Sequence, residues 1–486
     1  MEMFTLLTIF FLQFADKAGS DVVCLSPTAI EMREERGIAI DSLDYAVSPI
    51  YLDSIKAMGA KVLHTSRWMN GATIEASEEV INSIQECDFV TSIQRTRTKD
   101  QASLPSSLSL NKREITMEDI DPNETDKLGT NGQINQLNLM PLHEAGFKGK
   151  GIRIGIADGG FYNADSLESL PHEQWLGYTD LTDDEDDIFG QTGNHGSLCL
   201  TAIVAHKEIS DETVVGTFTY SGTATDASYY LFKTEEHSTE SPKEIDNWVV
   251  AIEMADSLGL HIVSTSLGYT TFDNQSFNFT YSDMDGSTSR GAQAAKIAAR
   301  KGMLLVTAMG NDGSKHWHYL STPADADSIL SVGAVNKDGV IAMFSSYGPS
   351  ADGRIKPEVC AVGEGTCLIN PASNSVISGN GTSFACPLIA GMAASLWSAI
   401  PNATNMEIRD MIICSCDRYD QPHEQYGYGI PDAWKAYTSV MTNLFDTPHS
   451  IAYTKIIHNG QLYILRNGFK YNLLGNKIEC EEIYTK

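Results

Sequence analysis

Four short stretches carry residue types suited to acyl transfer. The first is Gly379-Asn380-Gly381-Thr382-Ser383-Phe384-Ala385-Cys386-Pro387, after which an Ala- and Gly-rich stretch runs to Ala399. Glycines followed by a serine and then a helix place a hydroxyl at a positive helix end, with small neighbours that admit a substrate backbone. Pro387 is expected in the first helical turn, where amide hydrogens have no intrahelical partner. Taken alone, the stretch favours a plainer role, a serine capping its helix. The second stretch is Gly193-Asn194-His195-Gly196-Ser197, ahead of an apolar helix. An imidazole neutral near pH 7 is a suitable general base, although one histidine among twelve is more often an ordinary loop or cap residue. The third is Ile152 to Ala157, an apolar strand ending in Asp158-Gly159-Gly160. A carboxylate at the end of a buried strand requires a partner, and a histidine it orients would be one. Asp-Gly is also a common turn pair. The fourth is Ala308-Met309-Gly310-Asn311, where the asparagine amide could donate to an oxyanion, or simply make a turn.

Each stretch is weak alone. Together, in the order Asp158, His195, Asn311, Ser383, each at a strand end or helix start, they are specific. The sequence resembles the subtilisin-like serine peptidases over roughly residues 140–440. Gly381 to Pro387 resembles the nucleophile motif GTS-x-(A/S)-x-P, His195-Gly196-Ser197 the HGT motif, and Asp158-Gly159-Gly160 the D-(T/S)-G motif. Ala308 to Asn311 is similar to the oxyanion segment A-A-G-N, with Met309 for alanine. Ser266, Leu267 and Gly268 resemble the strand that pairs with substrate backbone. The resemblance implies a serine endopeptidase acting through an acyl-enzyme on Ser383, with His195 as base and acid, Asp158 as orienting carboxylate and Asn311 as oxyanion donor. It implies polypeptide substrates and a bacterial secreted or cell-surface setting. It requires no cofactor. Relatives often hold structural calcium, and the acidic run from Asp180 to Asp187 offers carboxylates, though a solvated loop explains that run more simply.

The elements that must position these residues are legible as pattern. Apolar runs at Ile152–Ala157, Ser228–Phe232, Ile262–Ser266, Leu304–Ala308 and Ile329–Val335 alternate with helical stretches at Gly196–Ala205, Glu244–Leu258, Ser289–Arg300 and Ser383–Ala399. That alternation predicts an α/β fold, a mainly parallel sheet flanked by helices, over residues 136–440. In such sheets reactive groups collect at the carboxyl ends of the strands. Ahead of it, residues 10–98 read as a small α+β domain with helices near Tyr51–Met58 and Ser77–Ile84 and strands at Ala60–His64 and Phe89–Gln94. Trp68-Met69-Asn70-Gly71 and Phe89 to Ile93 resemble the family's inhibitory propeptide, so this region is expected to act as an intramolecular inhibitor. Met3 to Phe14 is either the core of a signal peptide or a first strand. Residues 99–135 are polar and read as a linker or processing segment. The tail, 449–486, is expected to form a short β-hairpin about Asn467-Gly468.

Composition bounds the alternatives. The 486-residue chain is 42% hydrophobic, enough for a sizeable core. Its formal charge of −29 repels phosphate backbones and anionic membrane surfaces. Nucleic acid is therefore excluded as the main partner, and no transmembrane helix is expected. Nine irregularly spaced cysteines do not form a disulfide framework, and Cys414 and Cys416 read as small apolar residues. A binding protein that kept this scaffold without its chemistry would be expected to lack one of the four residue types. A peptide ligase on the same scaffold would differ only in its product.

Overall fold

The apolar run near the N-terminus is a strand. The computed structural model describes residues 7–98, 117–119, 130–182, 187–190, 193–210, 217–445, 454–458, 461–466, 469–471 and 477–478. The N-terminal domain comprises β1 (Leu7–Phe14), α1 (Pro27–Glu35), α2 (Pro49–Ala57), β2 (Lys61–Ser66), β3 (Gly71–Ser77), α3 (Glu78–Gln85) and β4 (Val90–Thr98). Its four strands form an antiparallel sheet in the order β2-β3-β1-β4. Phe10, Leu12 and Phe14 enter the domain's own core with Ile55, Ile74 and Ile81. Phe11 points the other way, with Trp68 and Met69, into the larger core of the molecule. A strand buried on both faces loses the apolar–polar alternation that marks a half-buried one, so β1 reads as a plain hydrophobic run. The three helices start at Ser26, Ser48 and Ser77, whose hydroxyls accept the backbone N–H three residues on.

Part of the segment expected to be a linker is structured. Met117–Asp119 forms β5, and α4 (Asn131–Gln136) begins inside it, followed by α5 (Met140–Glu144). The remainder of 99–129 lies outside the described residues.

Next come β6 (Arg153–Asp158), β7 (Trp175–Asp180), α6 (His195–Val204), the hairpin β8 (His206–Ser210) and β9 (Thr217–Ser221), β10 (Ser228–Lys233) and α7 (Pro242–Leu258). They are followed by β11 (Ile262–Thr265), α8 (Arg290–Arg300), β12 (Leu304–Ala308), β13 (Leu330–Val335) and β14 (Val359–Val362). The series closes with β15 (Thr366–Ile369), β16 (Val376–Gly379), α9 (Thr382–Ala399), α10 (Asn405–Ser415) and α11 (Ala433–Phe445). Seven strands form one parallel sheet in the order β14-β13-β12-β11-β6-β10-β7. Alternate residues serve opposite faces. Ala157, Phe232, Val263 and Leu305 join the core formed with α7 and α8. Ser264, on the other face, meets Cys386 of α9. α9 packs across β11 to β14 and against α6. By length and composition α9 could cross a membrane, but its apolar window is 89% buried in this core.

Two expectations change. Pro387 sits inside α9, in its second turn, and Gly381 rather than Ser383 caps the helix. Cys414 is exposed on α10, whereas Cys416 is buried just past its end. No disulfide joins any two cysteines among the described residues.

A separate unit covers 437–486. Its described strands, β17 (Thr454–His458), β18 (Gln461–Arg466), β19 (Phe469–Tyr471) and β20 (Lys477–Ile478), pair antiparallel in sequence order. Arg466 pairs with Phe469 across β18 and β19, and the turn expected at Asn467-Gly468 lies outside the described residues.

The N-terminal domain is held on α7 by buried charge. Asp256 accepts from Arg33 at 2.7 and 2.8 Å and from Arg67 at 2.6 Å. Arg33 also reaches Asp44 at 3.2 Å, and Lys301 joins Asp44 at 2.7 Å. Glu253 accepts from the Ser66 hydroxyl at 2.5 Å and from the Arg67 and Trp68 amides at 2.8 and 3.2 Å. Burial raises the Glu253 pKa, and Arg67 and these donors oppose that rise. Removing one member of such a network leaves a charge buried without its partner. Asp256→Ala is expected to destabilise the full chain by about 3–5 kcal/mol, read as a lowered denaturant midpoint in a Ser383→Ala background. An unchanged midpoint would show that the network contributes nothing to docking.

Candidate functional site

The residues singled out in the sequence collect at the carboxyl edge of the parallel sheet. Asp158 ends β6, Ser266 to Gly268 follow β11, and Asn311 follows β12. His195 opens α6, and Ser383 is the second residue of α9. Because α6 packs against α9, the two helix starts adjoin, and the Phe384 ring lies 5.9 Å from the imidazole of His195.

Asp158 is fully buried. Its Oδ1 accepts from His195 Nδ1 at 2.7 Å and from the Gly159 amide at 2.8 Å. The close approach rests on glycine. A side chain at Gly196 would meet the Gly160 carbonyl and the Asp158 Cβ, the latter at 2.9 Å. Burial alone would lower the His195 pKa. The charge of Asp158, its hydrogen bond and the more distant charge of Glu235 outweigh burial, so the imidazole titrates above its ordinary value. With Nδ1 committed to the carboxylate, Nε2 is the nitrogen left to exchange a proton.

The Ser383 hydroxyl donates to the Ser266 carbonyl at 3.3 Å, and the Ser266 hydroxyl donates to the Ser383 carbonyl at 2.7 Å. No hydrogen bond joins Ser383 to His195 in this arrangement. Rotation about the Ser383 side-chain torsion moves its hydroxyl between staggered positions without moving the backbone. The reciprocal pair has a cause four residues on. Pro387 has no N–H, so the Ser383 carbonyl lacks its helical donor. Ser266 and the Cys199 thiol, 3.3 Å away, take the donor's place. Cys199 lies one helical turn after His195, and its sulfur is within 4.8 Å of ligand atoms of both Asp158 and His195. Burial pushes its thiol pKa well above the usual range, so it stays a neutral donor. Neither role was drawn from the sequence, although the four-residue spacings His195–Cys199 and Ser383–Pro387 signal both.

Asn311 is oriented by the helix it faces. Its Oδ1 accepts from the Thr382 amide and the Thr382 hydroxyl, both at 2.9 Å. A backbone N–H can only donate, so the side-chain oxygen must face Thr382 and the NH2 must face away from it. That NH2 lies 3.7 Å from where a Cβ on Gly381 would stand, beside Ser383. Leu267 and Gly268 use no backbone hydrogen bond among the described residues, which leaves an edge for an extended peptide. The arrangement can support attack by a hydroxyl on a carbonyl, with a base alongside and donors for the resulting oxyanion.

Two family models match the chain. The Subtilase family model matches residues 149–429, and the Bacteroidota propeptide domain of peptidase S8 matches residues 10–111. The chain is 28% identical over 307 residues to a thermostable alkaline protease of Halalkalibacterium halodurans, covering 62% of this chain and 72% of that one. It is 29% identical over 281 residues to subtilisin NAT of Bacillus subtilis subsp. natto, covering 57% and 64%. It is 27% identical over 318 residues to the minor extracellular protease Epr of Bacillus subtilis, covering 63% and 42%. The match thus spans less than two thirds of the latter two proteins.

The electrostatics yield a measurable consequence. The carboxylate of Asp158 favours the imidazolium, so His195 should titrate above the ordinary value of about 6.5. In Asp158→Asn burial prevails and the titration should move to lower pH. Imidazole NMR shifts followed against pH test this, and an unmoved midpoint would refute the assigned cause.

Proposed function

This chain belongs to the subtilase family and is a subtilisin-like serine endopeptidase, and we propose that Asp158, His195 and Ser383 are its catalytic triad and Asn311 its oxyanion donor. The single observation that carries the residue assignment is the 2.7 Å bond between His195 Nδ1 and the buried Asp158, beside the start of the helix that bears Ser383. In this reading Ser383 Oγ attacks a peptide carbonyl while His195 Nε2 takes its proton. The carbonyl oxygen becomes an oxyanion, stabilised by the Asn311 NH2 and the Ser383 amide. His195 then gives the proton to the leaving amine, and water repeats the sequence on the acyl-enzyme. Asp158 keeps Nδ1 protonated and stabilises the imidazolium. Ser266, Leu267 and Gly268 bind the substrate backbone as an added strand. These steps use only the chain's own groups and require no cofactor.

A propeptide domain is present. We assign it the role of intramolecular inhibitor, removed by cleavage within 99–135. Its ion network on α7 supports this. A secreted or cell-surface location is the corresponding proposal. Structural calcium is a proposal for the acidic run, whose residues 183–186 lie outside the described set.

Ser383→Ala should reduce peptide hydrolysis to background, and undiminished hydrolysis by a purified sample would remove Ser383 from the mechanism. Asn311→Ala should lower kcat by roughly 10²–10³, the size of effect known for one such donor in subtilisin, with little change in KM. A loss confined to KM would contradict the oxyanion role. A melting temperature that falls with a calcium chelator would place a structural ion in the fold, and an unchanged one would remove it.

A further inference from the structure

The two oxygens of the buried carboxylate are served unequally. Asp158 Oδ1 takes both donors, His195 Nδ1 at 2.7 Å and the Gly159 amide at 2.8 Å. Oδ2 is buried and has no hydrogen-bond partner. An ionised oxygen without a donor is costly, and a carboxylate held by one oxygen can swing about that hinge. The residues beside it offer nothing further. Gly159 has no side chain, and any side chain at Gly196 would meet the Asp158 Cβ at 2.9 Å. The thiol of Cys199 is the donor close by. Cys199 is fully buried one helical turn after His195, and its sulfur lies within 4.8 Å of a carboxylate oxygen of Asp158 and of a ring nitrogen of His195. Burial and the charge of Asp158 keep the thiol protonated. Its sulfur stands 3.3 Å from the Ser383 carbonyl, which already accepts from the Ser266 hydroxyl at 2.7 Å, the shorter bond from the stronger donor. That carbonyl keeps a donor if the thiol turns away, and the thiol turns about a single side-chain torsion.

We propose that Cys199 is a positioning residue: its thiol donates to Asp158 Oδ2 and so fixes the plane of the carboxylate that orients His195. This rests on the catalytic reading above. When the imidazole gains the Ser383 proton, the carboxylate must keep Oδ1 on Nδ1. A second anchor on Oδ2 holds it there, and a neutral donor does so without cancelling the charge that stabilises the imidazolium. Ser266 alone then holds the Ser383 carbonyl.

The test uses the full chain as expressed and a tetrapeptide nitroanilide. Cys199→Ala removes the donor and should lower kcat about tenfold, the worth of one hydrogen bond to a charged group, with KM within about twofold. Cys199→Ser keeps a neutral donor and should recover most of that loss. A kcat unchanged in Cys199→Ala, or a loss that serine does not relieve, would overturn the proposal. The infrared S–H stretching band gives a second readout that needs no change at Cys199. The component that differs between the wild type and Asp158→Asn should lie at higher frequency in the variant, since a carboxamide accepts more weakly than a carboxylate. An S–H spectrum indifferent to Asp158 would show the thiol bound elsewhere and sink the inference. Fluorophosphonate labelling separates the two levels. Ser383 labelled at the same rate in Cys199→Ala sinks this inference alone, whereas a wild type that forms no Ser383 adduct sinks the triad reading beneath it.

Discussion

The site depends on a fully buried carboxylate whose neighbour is an imidazole. Asp158 is buried because β6 sits between β11 and β10 in the parallel sheet. In such a place an ionised group needs strong partners. His195 and the Gly159 amide supply them at 2.7 and 2.8 Å. The same bond fixes which imidazole nitrogen carries the proton and raises the basicity of the other. Structure and chemistry therefore meet in one contact, and glycine at 196 leaves room for it beside Asp158.

Around that contact, one serine is held by another. Pro387 removes the helical donor for the Ser383 carbonyl, and Ser266 replaces it. This couples the start of α9 to the segment that would bind substrate. Thr382 does the same for the other wall by orienting the Asn311 amide. Both segments are thus tied to the start of the helix that bears Ser383, the proposed nucleophile.

Much of this was legible in the sequence because parallel strands buried on both faces are continuous apolar runs. β6, β10, β11, β12 and β13 were read at their places for that reason, and the motif residues fell at their ends. β7 was missed because it is an edge strand with alternating exposure, and β14 because four residues are too few to show a period. α1 was missed because its sequence has no apolar stripe, and its contribution is the single buried guanidinium of Arg33. Pro387 was placed a turn too early because the helix boundary depends on Gly381, whose φ of +155° only the structure reveals.

The most direct measurement is covalent labelling with a fluorophosphonate, followed by mass-spectrometric location of the adduct. The account predicts one adduct, on Ser383, whose rate of formation rises as His195 loses its proton and falls sharply in Asp158→Asn. An adduct on another residue, or labelling of Ser383 that is indifferent to Asp158, would contradict it.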